Sequence, residues 1–428
     1  MHDQRSNPGA RYPLAELKSK SSKYPMLHAI RDRRSRLKIL CVTPWFPARP
    51  GEQRGNFVYD SVEALSLLGH QVTTLVCEPW RPKFAARLAA EWGQESVNPD
   101  NYKPQHDVRT TFHGAIPRNY LRPISNAMLE LQVGRVVRGL VAELKPDIIH
   151  GHTESLAPVI ARVGKELGIP TAITLHGINT EPKLRTARHH SYIGRGLANV
   201  SRVILVGRPL ERYFSEIIGD TSHVRVVHNG FRAATIRFEN GDRARKDLRF
   251  ISVSNLQEGK GIDLTLKALG ALAVEGRGNW TYTVVGDGPQ SGELKTLAAN
   301  LNLTDKVTFT GAWPHARIFE LLRHADVFVL PSLPEAFGIA YLEAMSAGLL
   351  AIGVAGQGPE AFIRHGRSGL LLEGNGLHAL TSCLRGVIDD PASWQAAAFE
   401  GQRVATQDFT LRQHALHLTE VLVEACQG

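Results

Sequence analysis

Two carboxylates eight positions apart, Glu335 and Glu343, are placed to meet a polyol and a phosphate. Glu343 is the only charged side chain between Ala336 and Gly356. An ionised carboxylate in so apolar a run is costly unless a polar group meets it. A vicinal diol, as on a ribose, would meet it. Glu335 stands just before a helix predicted to open at Ala336. The first N–H groups of that helix, on Phe337, Gly338 and Ile339, lack partners within it and form a natural phosphate seat. One element could therefore hold a ribose, a diphosphate and a sugar hydroxyl together. Taken singly, each glutamate has a plainer reading: Glu335 favours the helix dipole, and Glu343 pairs with a core arginine.

Other segments gain weight beside this one. Gly259-Lys260-Gly261 follows a predicted strand and opens a helix from Ile262 to Leu272. Its glycines let backbone approach a ligand, and Lys260 supplies a compact positive charge. Gly286-Asp287-Gly288-Pro289 closes the next strand, although Gly-x-Gly alone is common in turns. His176 ends the strand Thr171 to Leu175, and His150 and His152 end the one before it, where they could line an acceptor side. A full G-x-G-x-x-G and a Walker A lysine motif are both absent from the sequence, against dinucleotide oxidoreductases and P-loop NTPases. No Ser/His/Asp or Cys/His nucleophile arrangement is evident.

The string Glu335-Ala336-Phe337-Gly338, then Glu343-Ala344-Met345, then Gly348 resembles the donor-binding signature of the family-4 retaining glycosyltransferases (glycosyl transferases group 1). The resemblance covers roughly residues 37–428 and is strongest in the second half. It implies that Glu335 contacts the donor sugar, that Glu343 holds the nucleotide ribose, and that Gly286 and Gly288 line the nucleotide side. It further implies that His176 sits beside the transferred sugar and that Lys260 clamps the donor diphosphate. Lys260, Glu335 and His176 are thus the expected catalytic group. The family's second diphosphate cation, an arginine, is replaced here by Asn255, and Arg54 from the facing domain is expected to compensate. Gly55 opens a helix and could offer N–H groups to phosphate, although the loop Pro50–Asn56 lacks the family's adjacent Gly-Gly. Gly356-Gln357-Gly358-Pro359-Glu360 resembles a family loop ending in a glutamate before a short helix. The sequence contains no Asp-x-Asp. Lys260 and the N–H groups of Phe337, Gly338 and Ile339 are therefore expected to neutralise the leaving group without a metal or other cofactor.

Elements of alternating type must position these residues. Short apolar strands alternate with helices twice along the 428 residues, which implies two domains with parallel sheets covered on both faces. The expected fold is α/β, of GT-B type: two Rossmann-like domains facing across a cleft; the resemblance further implies that a last helix, Leu411 to Cys426, crosses back to the first domain. The expected division is a mobile basic extension over 1–36, an acceptor-side domain over 37–229, a nucleotide-sugar donor domain over 230–408 and the returning helix over 409–428. Met26 is a candidate alternative start.

Charge is unevenly spread. Residues 1–230 hold 32 Lys and Arg against 20 Asp and Glu, while the remainder is slightly acidic within a net +9. With a possible amphipathic helix from Pro82 to Trp92, this suits an anionic membrane surface or a diphosphate-linked acceptor, or else a solvated basic face with no partner. Cys41, Cys77, Cys383 and Cys426 form no metal-binding spacing and suggest a reducing compartment. No secretory signal or membrane-length apolar run is visible. The expectation is a cytoplasmic hexosyltransferase, peripheral to the inner face of a membrane, making polysaccharide or glycoconjugate from a nucleotide diphosphate sugar and a saccharide or lipid-linked saccharide. Two other classes stay open: a GT-B nucleotide-sugar epimerase, and a basic nucleic-acid-binding protein, for which no recognition module is seen.

Overall fold

A computed structural model describes residues 36–47, 55–80, 107–114, 122–177, 187–232 and 247–428. Arg54, Met26 and the segment Pro82 to Trp92 lie outside the described residues, as does most of the predicted linker from Arg232 to Asp247.

The first half builds β1 (Lys38–Thr43), α1 (Asn56–Leu67), β2 (Gln71–Trp80), β3 (Val108–Gly114), α2 (Arg122–Leu144), β4 (Ile148–His152), α3 (Ala157–Leu167), β5 (Thr171–Leu175), α4 (Ala187–Leu197), β6 (Arg202–Leu205), α5 (Pro209–Ile218) and β7 (Val224–Val226). Its sheet runs β3-β2-β1-β4-β5-β6-β7, and every pair is parallel. Central β4 and β5 are buried along their whole length. They therefore read as continuous apolar runs, as strands covered on both faces do.

The second half repeats the design with β8 (Leu248–Val253), α6 (Ile262–Val274), β9 (Trp280–Val285), α7 (Ser291–Asn300), β10 (Val307–Gly311), α8 (His315–Arg323), β11 (Val327–Val329), α9 (Ile339–Ser346), β12 (Leu350–Val354), β13 (Leu370–Leu372), α10 (Leu377–Asp389) and α11 (Gln395–Asp408). Its parallel sheet runs β10-β9-β8-β11-β12-β13.

The last helix, α12 (Leu411–Gln427), returns to the first domain as the family resemblance implies. Thr410 caps it, accepting from the Gln413 N–H at 3.2 Å. Its apolar stripe of Leu418, Val421, Leu422 and Ala425 packs with Leu37, Ile39, Ile148 and Ala172. At its far end Glu424 pairs with Arg202 and Arg225 of β6 and β7.

Two expectations need correction. The sequence does not announce the strand β3. Its side chains are half-buried or exposed because it is a sheet edge paired only to β2, so its apolar period is weak. The donor-loop helix opens at Ile339 rather than Ala336, because Gly338 is its N-cap at φ 91°. The N–H groups left over by α9 itself are thus those of Gly338, Ile339 and Ala340, while Tyr341 N–H already donates to Gly338 O at 3.1 Å. Phe337 lies outside the helix. Its ring is buried and stacks on His228 of the first half, with 5.4 Å between centroids.

Candidate active site

In each sheet the strand order reverses once, between β1 and β4 and between β8 and β11. Open α/β sheets bind ligands at the carboxyl ends of the strands at such reversals. The candidate residues gather at both.

In the second half, Lys260 follows β8 and Glu335 follows β11, two strands that are hydrogen-bonded neighbours. Gly261, at φ 70°, turns the chain into α6. A side chain there would place its Cβ 2.5 Å from the Pro331 carbonyl oxygen. The Leu333 N–H donates to the Gly259 carbonyl at 2.7 Å and locks the two loops together. So held, the Lys260 ammonium donates to Glu335 Oε2 at 3.0 Å and to Ser332 Oγ at 3.3 Å. Both members of the ion pair are largely but not wholly buried, with side chains 21% and 13% exposed. A ligand can reach them.

The backbone of Glu335 is gripped from a third loop. Its N–H donates to Gln357 Oε1 at 2.9 Å, and its carbonyl accepts from the Gly358 N–H at 2.9 Å. Gln357 was singled out in the sequence only as part of a loop. Its contact crosses 22 residues and no local pattern signals it. A 3₁₀ turn covers Gly358–Ala361, so Glu360 lies within it rather than before a short helix, and Glu360 accepts from the Gly356 N–H at 3.0 Å.

Glu343 sits in the middle of α9 and is 7% exposed. Gly286 and Gly288 close β9 and press on the loop after β8. A Cβ on Gly286 would lie 1.8 Å from the Ser254 carbonyl oxygen, so this glycine is fixed by packing within the protein. Asn255 is exposed, and its side chain lies against Gly288, whose added Cβ would be 2.6 Å from Asn255 Oδ1.

In the first half, Gly55 caps α1 in a left-handed conformation, seated on the backbone of Trp45 and Phe46 after β1. The first turn of α1 brings the Phe57 ring to 4.3 Å from the His176 ring. His176, at the end of β5, is hydrogen-bonded through Nε2 to His152 Nδ1 at 2.9 Å. His150 and His152 were expected near an acceptor surface. They lie instead within β4 and are 1% exposed, so they support the site from beneath. His150 Nε2 meets Thr174 Oγ1 at 2.7 Å. On α12, His414 donates through Nδ1 to the His228 carbonyl at 2.7 Å and meets Ser61 Oγ through Nε2 at 2.7 Å.

Burial, reinforced by neighbouring imidazoles, keeps this cluster uncharged. The pKa values of His150 and His176 are pushed down to about 3, and that of His152 well below the usual range. Burial lowers His414 to about 4, opposed in part by its bond to the His228 carbonyl.

The two halves meet beside these groups. Val206 N–H donates to the Leu175 carbonyl at 3.3 Å, which sets the end of β6 next to His176. The following residue, Gly207, sits against the second domain, where a Cβ would be 2.0 Å from the Ala336 carbonyl oxygen. Lys260 with Glu335 and the histidine cluster therefore flank one interdomain junction. Among the described residues no group of three or more His, Cys, Asp or Glu side chains could hold a metal ion. No described helix is long and apolar enough to cross a membrane.

Comparisons with known proteins agree with this architecture. The family described as "Glycosyltransferase Family 4" matches residues 55–234, and "Glycosyl transferases group 1" matches residues 235–401. A glycogen synthase of Mycobacterium tuberculosis is 24% identical over 92% of this chain and 96% of its own length. Sucrose-phosphate synthase from Thermosynechococcus elongatus superposes with a TM-score of 0.72 at 20% identity, covering 90% of this chain and 98% of that one. HepE of Anabaena, solved in complex with UDP and glucose, superposes with a TM-score of 0.68 at 20% identity, covering 91% and 100%.

Proposed function

We propose, from the premise that this chain belongs to the family-4 glycosyltransferases of GT-B fold, that it moves a hexosyl group from a nucleotide diphosphate sugar to a saccharide or lipid-linked saccharide with retention at the anomeric carbon. The observation that carries this reading is the Lys260–Glu335 contact of 3.0 Å at the strand-order reversal, beside the N-terminus of α9. In it, the diphosphate takes the N–H groups of Gly338, Ile339 and Ala340 together with Lys260. Glu335 accepts from a hydroxyl of the donor sugar, Glu343 from the ribose, and His176 meets the sugar from the first domain. The acceptor hydroxyl attacks on the face the diphosphate leaves, and the departing phosphate oxygen takes its proton. Charge grows on that phosphate in the transition state. In this reading Lys260 and the helix N–H groups meet that growing charge, so they stabilise the transition state more than the ground state.

HepE's complex with UDP and glucose supports a sugar-nucleotide donor of this class. The similarity to TuaC of Bacillus subtilis, named for a glycosyltransferase of teichuronic acid biosynthesis, supports a glycan acceptor. The basic charge of residues 1–230 suits an anionic acceptor or membrane surface at the cytoplasmic face.

A thermal-shift panel of UDP-, GDP- and ADP-sugars tests the donor class, since the true donor stabilises the fold by mass action. The stabilising donor is then incubated with and without saccharide acceptors. Product with the donor's anomeric configuration supports the reading. Conversion of donor alone to an epimeric sugar, or no shift from any donor, overturns it.

A further inference from the structure

The His152–His176 contact is more than packing. The two rings lie nearly parallel, 15° apart with centroids 5.2 Å from each other, and are joined edge to edge by the 2.9 Å bond between His152 Nδ1 and His176 Nε2. Each ring keeps one nitrogen, His152 Nε2 and His176 Nδ1, that is buried and has no protein partner. Buried polar atoms are normally satisfied, so an orphan pair at a site marks a place for another molecule. A neutral imidazole carries one N–H and one lone pair. If His152 Nδ1 donates, His176 must hold its proton on Nδ1 and present an N–H. If His176 Nε2 donates, its Nδ1 presents a lone pair, and His152 Nε2 holds the remaining proton. The tautomer of one ring thus dictates that of the other, and His152, wholly inside β4, is the fixed member.

We infer that His152 is a positioning residue for His176: it sets the ring plane and the tautomer with which His176 Nδ1 meets a hydroxyl of the transferred pyranose. This rests on the reading above that His176 faces the donor sugar. His152 itself touches no substrate.

The test compares His152→Leu with His152→Asn, whose amide occupies the place of Nδ1 and can restore the bond. Donor hydrolysis is followed in the absence of acceptor, using the nucleotide sugar that stabilises the wild type. Affinity for the corresponding nucleoside diphosphate is measured by titration calorimetry. His152→Leu is expected to lower kcat/KM for the sugar nucleotide about 10- to 100-fold, the usual cost of losing an orienting partner. Nucleoside diphosphate affinity should stay within about twofold, since the pair acts on the sugar alone. His152→Asn should recover most of the loss. In a His176→Ala background, His152→Leu should add nothing further. The inference fails if His152→Leu turns over like wild type, if it weakens the diphosphate and the sugar nucleotide equally, if Asn does no better than Leu, or if the two substitutions add. A wild type that binds no nucleoside diphosphate would instead overturn the functional reading on which the inference rests.

Discussion

The ammonium of Lys260 lies 3.0 Å from a carboxylate oxygen of Glu335, although 75 residues separate them in the chain. The pairing fixes both side chains, because each charge holds the other in place. In the proposed complex a diphosphate shares the lysine and a sugar hydroxyl shares the glutamate. Lys260→Ala and Glu335→Gln should each cut turnover about 100-fold or more, the scale of losing one preorganised group worth ~3 kcal/mol in the transition state. Initial rates on saturating donor measure this, and circular dichroism checks that both variants stay folded. Near-normal rates in both would remove the pair from the catalytic machinery.

Gly207 offers a test of the domain junction. Its Cα faces the Ala336 carbonyl so closely that a Cβ would sit 2.0 Å away. That obstacle is backbone and cannot rotate aside. Gly207→Val should therefore either wedge the halves apart or shift the Glu335 loop. We expect kcat/KM to fall at least about tenfold while each domain keeps its secondary structure, because a small misplacement of reacting groups is costly. Activity equal to wild type would mean that the junction closes differently in solution.

Much of the fold is written in local pattern, and much of the site is not. β5, β12 and β13 begin and end where their apolar runs do. These strands are covered by helices and carry no competing signal. β3 escaped notice because an edge strand is half wet. The residue types of the site were legible: Lys260, Glu335 and Glu343 stand at strand ends or in a small-residue helix, where few reasons exist for a charge. What joined them was not. Lys260 meets Glu335 because β8 neighbours β11 while β9 and β10 lie on the other side, a choice of strand order that no short window encodes. His152 read as a strand end facing an acceptor, because sequence does not show which way a strand's last side chain points. Only its bond to His176 reveals its place.

The buried histidines make stability depend on acidity in a defined direction. His150 and His414 have folded pKa values lowered to about 3 and about 4, chiefly by burial, against about 6.5 in an unfolded chain. A depressed imidazole pKa means that the unfolded state binds the proton first. Stability is therefore intact above pH 6.5 and is lost as pH falls toward 4. Between pH 7 and pH 5 each of the two should cost about 2 kcal/mol. Urea unfolding at the two pH values measures the loss. His414→Gln should flatten the dependence, as Gln carries no titrating group. An unchanged slope in that variant would mean that His414 is protonated in the native protein.

Glu343 carries the sharpest prediction about the nucleotide. It is 7% exposed in the middle of α9, and in the proposed complex its carboxylate accepts from the ribose diol. A hydrogen bond to a buried charge contributes about 1.5–3 kcal/mol. Glu343→Gln should then weaken the preferred nucleoside diphosphate, found among UDP, GDP and ADP, roughly 10- to 100-fold. The informative comparison is with the 2′,3′-dideoxy form of the same nucleotide. Wild type should bind the ribose form far better, whereas Glu343→Gln should hardly distinguish the two, because the group that read the hydroxyls has lost its charge. Calorimetry on the four combinations gives the coupling directly. If the variant discriminates as strongly as wild type, the ribose is held elsewhere, and Glu343 is a structural acid of α9 whose charge is met from within the protein.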